Sequence, residues 1–355
     1  MSGRERTRWH GAALVVAVTV AASAVLQLVA VPSAPLFGSL FGGMAHALTS
    51  RTPLELPAPA FRVAQAMIGV IIGASVSLPA LTRMGSDAVA IALVTAGTIG
   101  VSLIAGRMLA VRRDVSPVTG AFAMIAGGAS GVVAVAHDLG ADDRVVTVVQ
   151  YLRVLIVLVT LPVVTAVVFR PEHGLGLLPT ADAPLLPSLA YVALALLLGL
   201  LLARLVPVTT AVLLGPFLVG AVLSQSGWLG TVAVPTALEW LAYAAIGVQV
   251  GLRFTRESVA SIARMLPAVI AVIAAMIAVN AAMGAALARL TPVDGLTAYL
   301  ATTPGGLFAV LATAADTGAD VTYVMAVQLV RLVVILATLP LLARWLRRGA
   351  RADET

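Results

Sequence analysis

The apolar runs of this chain, more than any motif, limit what it can fold into. They fall at about 11–31, 35–49, 58–77, 86–110, 117–139, 145–169, 186–206, 209–225, 234–252, 262–290, 296–315 and 321–346, twelve segments in 355 residues. The links between them are too brief to hold a soluble domain. A helix rises about 1.5 Å per residue, so about 20 apolar residues match the hydrocarbon thickness of a bilayer. The chain is 60% hydrophobic and 11% charged, with mean hydropathy +1.05. A soluble domain of this length has no interior able to hide that much apolar surface. The expected class is an all-α polytopic membrane protein, with the lipid bilayer as its first partner.

Charge placement sets the expected orientation. All 22 basic residues are arginine, a coding bias rather than chemistry. Arg4, Arg6 and Arg8 precede the first run, and Arg344, Arg347, Arg348 and Arg351 follow the last. Such flanking clusters mark cytoplasmic ends, so both termini are expected inside. Links holding Arg112, Arg113 and Arg289 then also lie inside, and those holding Asp138, Asp142, Asp143, Asp316 and Asp320 outside; Arg253, Arg256 and Arg264 fit this scheme poorly. The net charge of +6 sits on no basic soluble module, which excludes a nucleic-acid partner. Cysteine is absent, so no disulfide framework or thiolate nucleophile is available. The first apolar run is longer than a secretory signal core and has an internal counterpart at 186–206, so it is expected to be a retained helix.

The two halves repeat one another at an offset of 178. QYLRVLIVLVTLP at 150–162 returns as QLVRLVVILATLP at 328–340, matching Gln150, Arg153, Leu161 and Pro162 to Gln328, Arg331, Leu339 and Pro340. IGVIIG at 68–73 returns as IGVQVG at 246–251. IAGGASGVVAVAHDLGADD at 125–143 returns as TPGGLFAVLATAADTGADV at 303–321. That match keeps Gly127/Gly305, Gly128/Gly306, Asp138/Asp316, Gly140/Gly318 and Asp142/Asp320 in register, and Gly106 falls on Gly284. GSLFGG at 38–43 resembles GPFLVG at 215–220 with a one-residue slip. Rare polar residues match as well as common apolar ones, which points to internal duplication. The expected organisation is a membrane repeat of about six segments over 1–170, a link over 171–187, a second repeat over 188–347 and a cytoplasmic tail over 348–355. Parallel copies are favoured over inverted ones, which would need a re-entrant hairpin in each.

The paired glycine, aspartate, glutamine–arginine and Thr-Leu-Pro pattern resembles the AbrB-type integral membrane family, across essentially the whole chain. The resemblance implies a bacterial cytoplasmic (inner) membrane protein made of two copies of one hydrophobic repeat. It is unrelated to the small DNA-binding AbrB fold. Members are labelled regulators of gene expression, sometimes ammonia monooxygenases, and a transport role is suspected.

The residues themselves offer a site. Arg153 lies nine residues after Arg144, about 13 Å into a helix and near mid-bilayer. A central arginine cannot snorkel and costs at least about 2.5–3.5 kcal/mol, so it must face a partner or a wet cavity. Gln150 and Gln328 share a face with Arg153 and Arg331, three residues on in each case. Gly127–Gly128 and Gly305–Gly306, the latter after Thr303–Pro304, predict broken helices, because proline and adjacent glycines disfavour a continuous helix. Unwound backbone at membrane depth is tolerated where it lines a cavity, and half-helix N-termini there attract anions. Against this stands a purely structural reading, with each arginine locked to an aspartate or to free carbonyls. The expected substrate-binding set is therefore Arg153, Arg331, Gln150, Gln328, Gly127, Gly128, Gly305, Gly306 and Thr303. Asp138, Asp142, Asp316 and Asp320 read first as loop and cap residues. With Glu239, they are also candidates for coupling or ion pairing. Gln249 is a lesser candidate.

Enzyme chemistry finds no support in the sequence. His10, His46, His137 and His173 are scattered without metal-ligand spacing, and no P-loop, HExxH or nucleophilic triad is present. No cofactor or metal is expected. The expected function is secondary transport of a small anionic solute, a carboxylate by preference, with membrane-embedded regulation of gene expression as the alternative. A homo-oligomer stays open.

Overall fold

The computed structural model describes residues 3–29, 31–50, 53–76, 85–111, 115–125, 136, 141–170, 183–205, 210–256 and 264–352. Among these every regular element is helical. The first six helices are α1 (Gly3–Leu28), α2 (Ala34–Thr49), α3 (Ala58–Ala74), α4 (Ala88–Ala110), α5 (Pro117–Met124) and α6 (Asp143–Val164). A π-helical turn, Thr165–Phe169, extends α6. There follow α7 (Leu185–Arg204), α8 (Ala211–Ser226), α9 (Thr236–Gly251) and α10 (Leu266–Leu290). The last three are α11 (Gly295–Thr302), α12 (Leu307–Thr317) and α13 (Val321–Ala352).

Five helical stretches are long and apolar enough to cross a bilayer: Trp9–Leu28, Ala88–Ala110, Asp143–Phe169, Leu185–Arg204 and Leu266–Leu290. Shorter apolar helices include α3, α8, α12 and the Val321–Ile335 part of α13. This is an all-helical polytopic membrane protein. The expected run 296–315 is two helices, α11 and α12, parted at Thr303–Gly306, where Gly305 has φ 142° and Gly306 φ 69°. Such backbone angles suit glycine and interrupt a helix. The broken helix is therefore present in this half. Its expected partner break, at Gly127–Gly128, lies outside the described residues.

Local rules account for the helix starts. Proline occupies the first turn of α2, α3, α5 and α10, where its missing N–H would have no partner anyway. The Ser116 side chain caps α5 by accepting from Thr119 N, and Asp294 caps α11 by accepting from Thr297 N. These two caps occupy equivalent positions in the two halves. Pro162 sits inside α6, a few residues before the π turn. Its ring and missing N–H disturb the regular ladder there.

Contacts group the chain into two compact units, each drawing on both sequence halves. One comprises Met1–Leu81, Leu161–Thr255 and Phe308–Thr322; the other Thr82–Thr160, Arg256–Leu307 and Tyr323–Thr355. This grouping by contact differs from the division by repeat at 1–170 and 188–347.

In the first unit, glycines let helices from different halves touch backbone to backbone. α3 packs on α8, and α9 packs on α2. A methyl group on Gly69 would stand 2.3 Å from the Leu213 carbonyl oxygen, and one on Gly247 would stand 2.1 Å from that of Leu36. One turn further, Gly73 meets the Phe217 carbonyl and Gly251 the Leu40 carbonyl. Each contact thus has a counterpart with the two halves exchanged. Tyr191 on α7, fully buried, donates its hydroxyl to the Val70 carbonyl at 3.0 Å.

In the second unit, α4 packs on α5, and α10 on α11 and α4. Gly106 on α4 abuts Ala121 of α5, and Gly284 on α10 abuts Tyr299 of α11, both partners being matched by the repeat register. One core joins Leu109, Met124, Val149, Val269 and Ile273; another joins Phe122, Ile125, Ala136, Val146 and Ile335. These cores press α6 and Ile335 of α13 against the short helix α5.

Candidate functional site

The two short helices of the second unit end inside the packed structure. The last carbonyls of a helix have no partner within it. At the end of α5 these orphans are met from α6: Gln150 Nε2 donates to the Phe122 carbonyl at 2.9 Å, and Arg153 Nη1 donates to the Met124 carbonyl at 2.7 Å. At the end of α11 they are met from α13: Gln328 Nε2 donates to the Leu300 and Thr303 carbonyls at 3.0 and 3.2 Å, and Arg331 Nη1 donates to the Thr303 carbonyl at 2.9 Å. Phe122 and Leu300 are themselves equivalent positions of the repeat. The arginines also place positive charge at the negative ends of these helices. Of the structural alternatives weighed above, the carbonyl partner is the one observed among the described residues.

The two arginines are nonetheless not fully satisfied. Arg153 is 4% exposed and Arg331 7%. Arg331 Nη2 also donates to Gln328 Oε1, whereas Gln150 makes no such bond to Arg153. Among the described residues, Arg153 Nε and Arg331 Nε have no hydrogen-bond partner, and neither guanidinium meets a carboxylate. Gly305 adjoins Arg153: a methyl group there would lie 3.6 Å from its Nε. Thr303 serves through its carbonyl, while its hydroxyl turns back to Tyr299 O at 2.8 Å. Seven of the nine expected binding residues, Arg153, Arg331, Gln150, Gln328, Thr303, Gly305 and Gly306, thus lie in one compact unit. Gly127 and Gly128 lie outside the described residues.

The acidic candidates separate. Asp142 caps α6: its Oδ1 accepts from Arg144 N and Val145 N at 2.9 and 3.2 Å, and its own N–H donates to Thr119 Oγ1. Asp320 directly precedes α13. Asp138 lies outside the described residues. Asp316 and Glu239 meet in the first unit through a residue the sequence reading passed over. Tyr243 Oη donates to Glu239 Oε1 at 2.7 Å and stands 3.5 Å from Asp316 Oδ1. Asp316 Oδ2 accepts from both N and Oγ of Ser33, at 2.7 and 2.9 Å. Neither carboxyl has a basic partner among the described residues. Tyr243 was findable, because it lies four residues after Glu239 and hence on the same face of α9. Ser33 carried no such signal.

Gln249 lines a cavity of about 1220 Å³ in the first unit, together with Glu55, Arg62, Gln65 and Arg253. Its Oε1 is buried without a partner among the described residues.

Apolar helices, a broken helix and guanidinium groups held inside define a polytopic membrane protein that keeps charge in its interior. Comparison with known proteins narrows the class. The family model described as "Transition state regulatory protein AbrB" matches residues 35–347, and the chain belongs to the AbrB family. It is 35% identical over 320 residues to the Escherichia coli (strain K12) protein named "Putative regulator AbrB", covering 89% of this chain and 90% of that one. It is 24% identical over 307 residues to the Bacillus subtilis (strain 168) protein named "Uncharacterized protein YhjN", covering 82% and 80% respectively.

Proposed function

We propose that this chain is a secondary transporter of a small anionic metabolite, a carboxylate by preference, in the bacterial cytoplasmic membrane with both termini inside. The observation that carries this reading is the pair of buried guanidinium groups. They have neutral carbonyl and amide partners but no carboxylate partner among the described residues. Carbonyl dipoles do not cancel two full charges in a medium of low dielectric, and an anion entering between them would. Unwound backbone at Thr303–Gly306 supports a cavity at that depth. In this reading the chain is two copies of one repeat, and alternating access comes from rocking of the two halves against each other. The reading assigns no catalytic role and no cofactor.

The Glu239–Tyr243–Asp316 group is the proposed coupling site. A phenol has one proton, so Tyr243 cannot donate to both carboxyls at once, and an additional proton between them completes the set. The word "regulator" in the name of the Escherichia coli relative fits an indirect effect, in which a change in metabolite level alters gene expression. A sensor that signals by docking a partner is the rival reading. Removing residues 348–355 should leave a transporter working and disable a docking regulator.

The test is reconstitution of the purified protein in liposomes, with a panel of small carboxylates. Saturable movement that is lost in Arg153→Gln and Arg331→Gln, both still folded, supports the reading. No movement of any anion by folded wild-type protein overturns it.

A further inference from the structure

The cavity in the first unit lies where α3 and α8 begin and α9 ends. Its volume is about 1220 Å³, more than a small solute needs. Two guanidinium side chains line it, Arg62 near the start of α3 and Arg253 just beyond α9, together with the amides of Gln65 and Gln249. Gln249 Oε1 is buried with no donor among the described residues. Neither Pro57 nor Thr210 caps its helix through a side chain, so the positive ends of α3 and α8 add to the arginine charge. Glu55 opposes that charge, and with two arginines against one glutamate the lining stays cationic. Leu56, Phe61 and Leu252 give the same cavity apolar walls.

The repeat does not dictate these groups. At the offset of 178, Arg62, Gln249 and Arg253 correspond to Trp240, Ile71 and Ser75. Phe61 and Gln65 correspond to Glu239 and Tyr243, which form the hydrogen-bonded group with Asp316 and Ser33. Among the described residues, one half thus closes this place in the fold with an acidic group, and the other opens it as a cationic cavity. Arg62 and Arg253 are exposed, and exposed charge at helix ends belongs at the depth of lipid headgroups rather than of hydrocarbon.

We infer that this cavity holds the headgroup of an anionic phospholipid. Its phosphate sits on Arg62 and Arg253, and its glycerol and upper acyl carbons lie against Leu56, Phe61 and Leu252. Basic pockets between membrane helices take such headgroups. A soluble phosphate ester carries the same phosphate without the acyl carbons, so the apolar walls select the lipid. The inference is independent of the transporter reading.

The purified protein, delipidated in a neutral detergent, is titrated with phosphatidylglycerol, with phosphatidylcholine and with glycerol 3-phosphate. Native mass spectrometry counts what is bound, and the thermal midpoint reports folding. Phosphatidylglycerol should bind at least about tenfold more tightly than phosphatidylcholine, and glycerol 3-phosphate should not bind in the same concentration range. Arg62→Gln and Arg253→Gln should each weaken phosphatidylglycerol about fivefold. Arg204→Gln, at an exposed position in the last turn of α7 and outside the cavity lining, should change nothing. Glu55→Gln removes the opposing charge and should tighten binding. If an arginine variant does not fold, Glu55→Gln decides the matter. Equal affinity for phosphatidylcholine, a loss at Arg204→Gln as large as at the cavity arginines, no tightening at Glu55→Gln, or glycerol 3-phosphate bound as tightly as the lipid would each overturn the inference.

Discussion

Gln150 and Gln328 do the same work at equivalent positions of the two halves: each donates its side-chain amide to a carbonyl at the end of a short buried helix, Phe122 in one case and Leu300 in the other. Both side chains are 3% exposed. Gln328 does more, since it also donates to Thr303 and accepts from Arg331. Replacement by leucine leaves the carbonyls unpaired in an apolar interior. Hydrogen bonds inside membrane proteins are worth about 0.6–1.7 kcal/mol each. Gln150→Leu should lower the thermal midpoint in detergent modestly, and Gln328→Leu should lower it further. Equal shifts would show that the extra bonds of Gln328 carry no weight.

The exchanged glycine contacts between α3 and α8, and between α9 and α2, set up a contrast within one residue type. A methyl group on Gly69 or Gly247 would come within 2.3 or 2.1 Å of a carbonyl oxygen on a neighbouring helix, whereas one on Gly100 meets nothing within 4 Å. Gly69→Ala and Gly247→Ala should each cost about 1–3 kcal/mol, because backbone cannot move aside as a side-chain tip can. Gly100→Ala should be neutral or stabilise by up to about 1 kcal/mol through helix propensity. Thermal melts of the three variants check the ordering.

The caps of the two short helices should matter in parallel. Ser116 and Asp294 each accept from the N–H three residues on. Ser116→Ala and Asp294→Ala should each lose about 0.5–2 kcal/mol. Each also bonds the hydroxyl of that threonine, Ser116 that of Thr119 and Asp294 that of Thr297, so the two losses should be similar. Since each helix carries its arginine's carbonyl partner at the other end, ligand affinity should fall in both variants along with stability.

Coupling is open to a different test. Tyr243 links Glu239 to Asp316. The helices packed against α9 bring no other charge to that end among the described residues: α2 carries His46 near its far end, and Arg62 stands at the opposite end of α3. Glu239→Gln, Asp316→Asn and Tyr243→Phe should abolish accumulation driven by a pH gradient while leaving solute exchange under equal pH intact. Unchanged gradient-driven accumulation in all three would remove this group from the coupling path.

Much of the protein was legible in its residues. Long apolar runs admit few environments, so the membrane class followed from composition and length alone. The repeat register singled out Gln150, Arg153, Gln328 and Arg331 before any coordinate was known, because polar residues in apolar runs are costly and their repetition is not a matter of composition. Thr303–Pro304–Gly305–Gly306 announced a break through backbone chemistry that is local to those residues. What lay beyond the sequence was every partner. The sequence left open whether the arginines meet aspartates or carbonyls; among the described residues they meet the carbonyls of Met124 and Thr303. It did not bring Ser33 to Asp316, far away along the chain. Nor did it reveal that α3 rests on α8 while α9 rests on α2. Helix formation and bilayer insertion depend on short stretches of chain. Hydrogen-bond pairing and helix contact depend on which surfaces fit in three dimensions, and that is decided only when all the helices pack together.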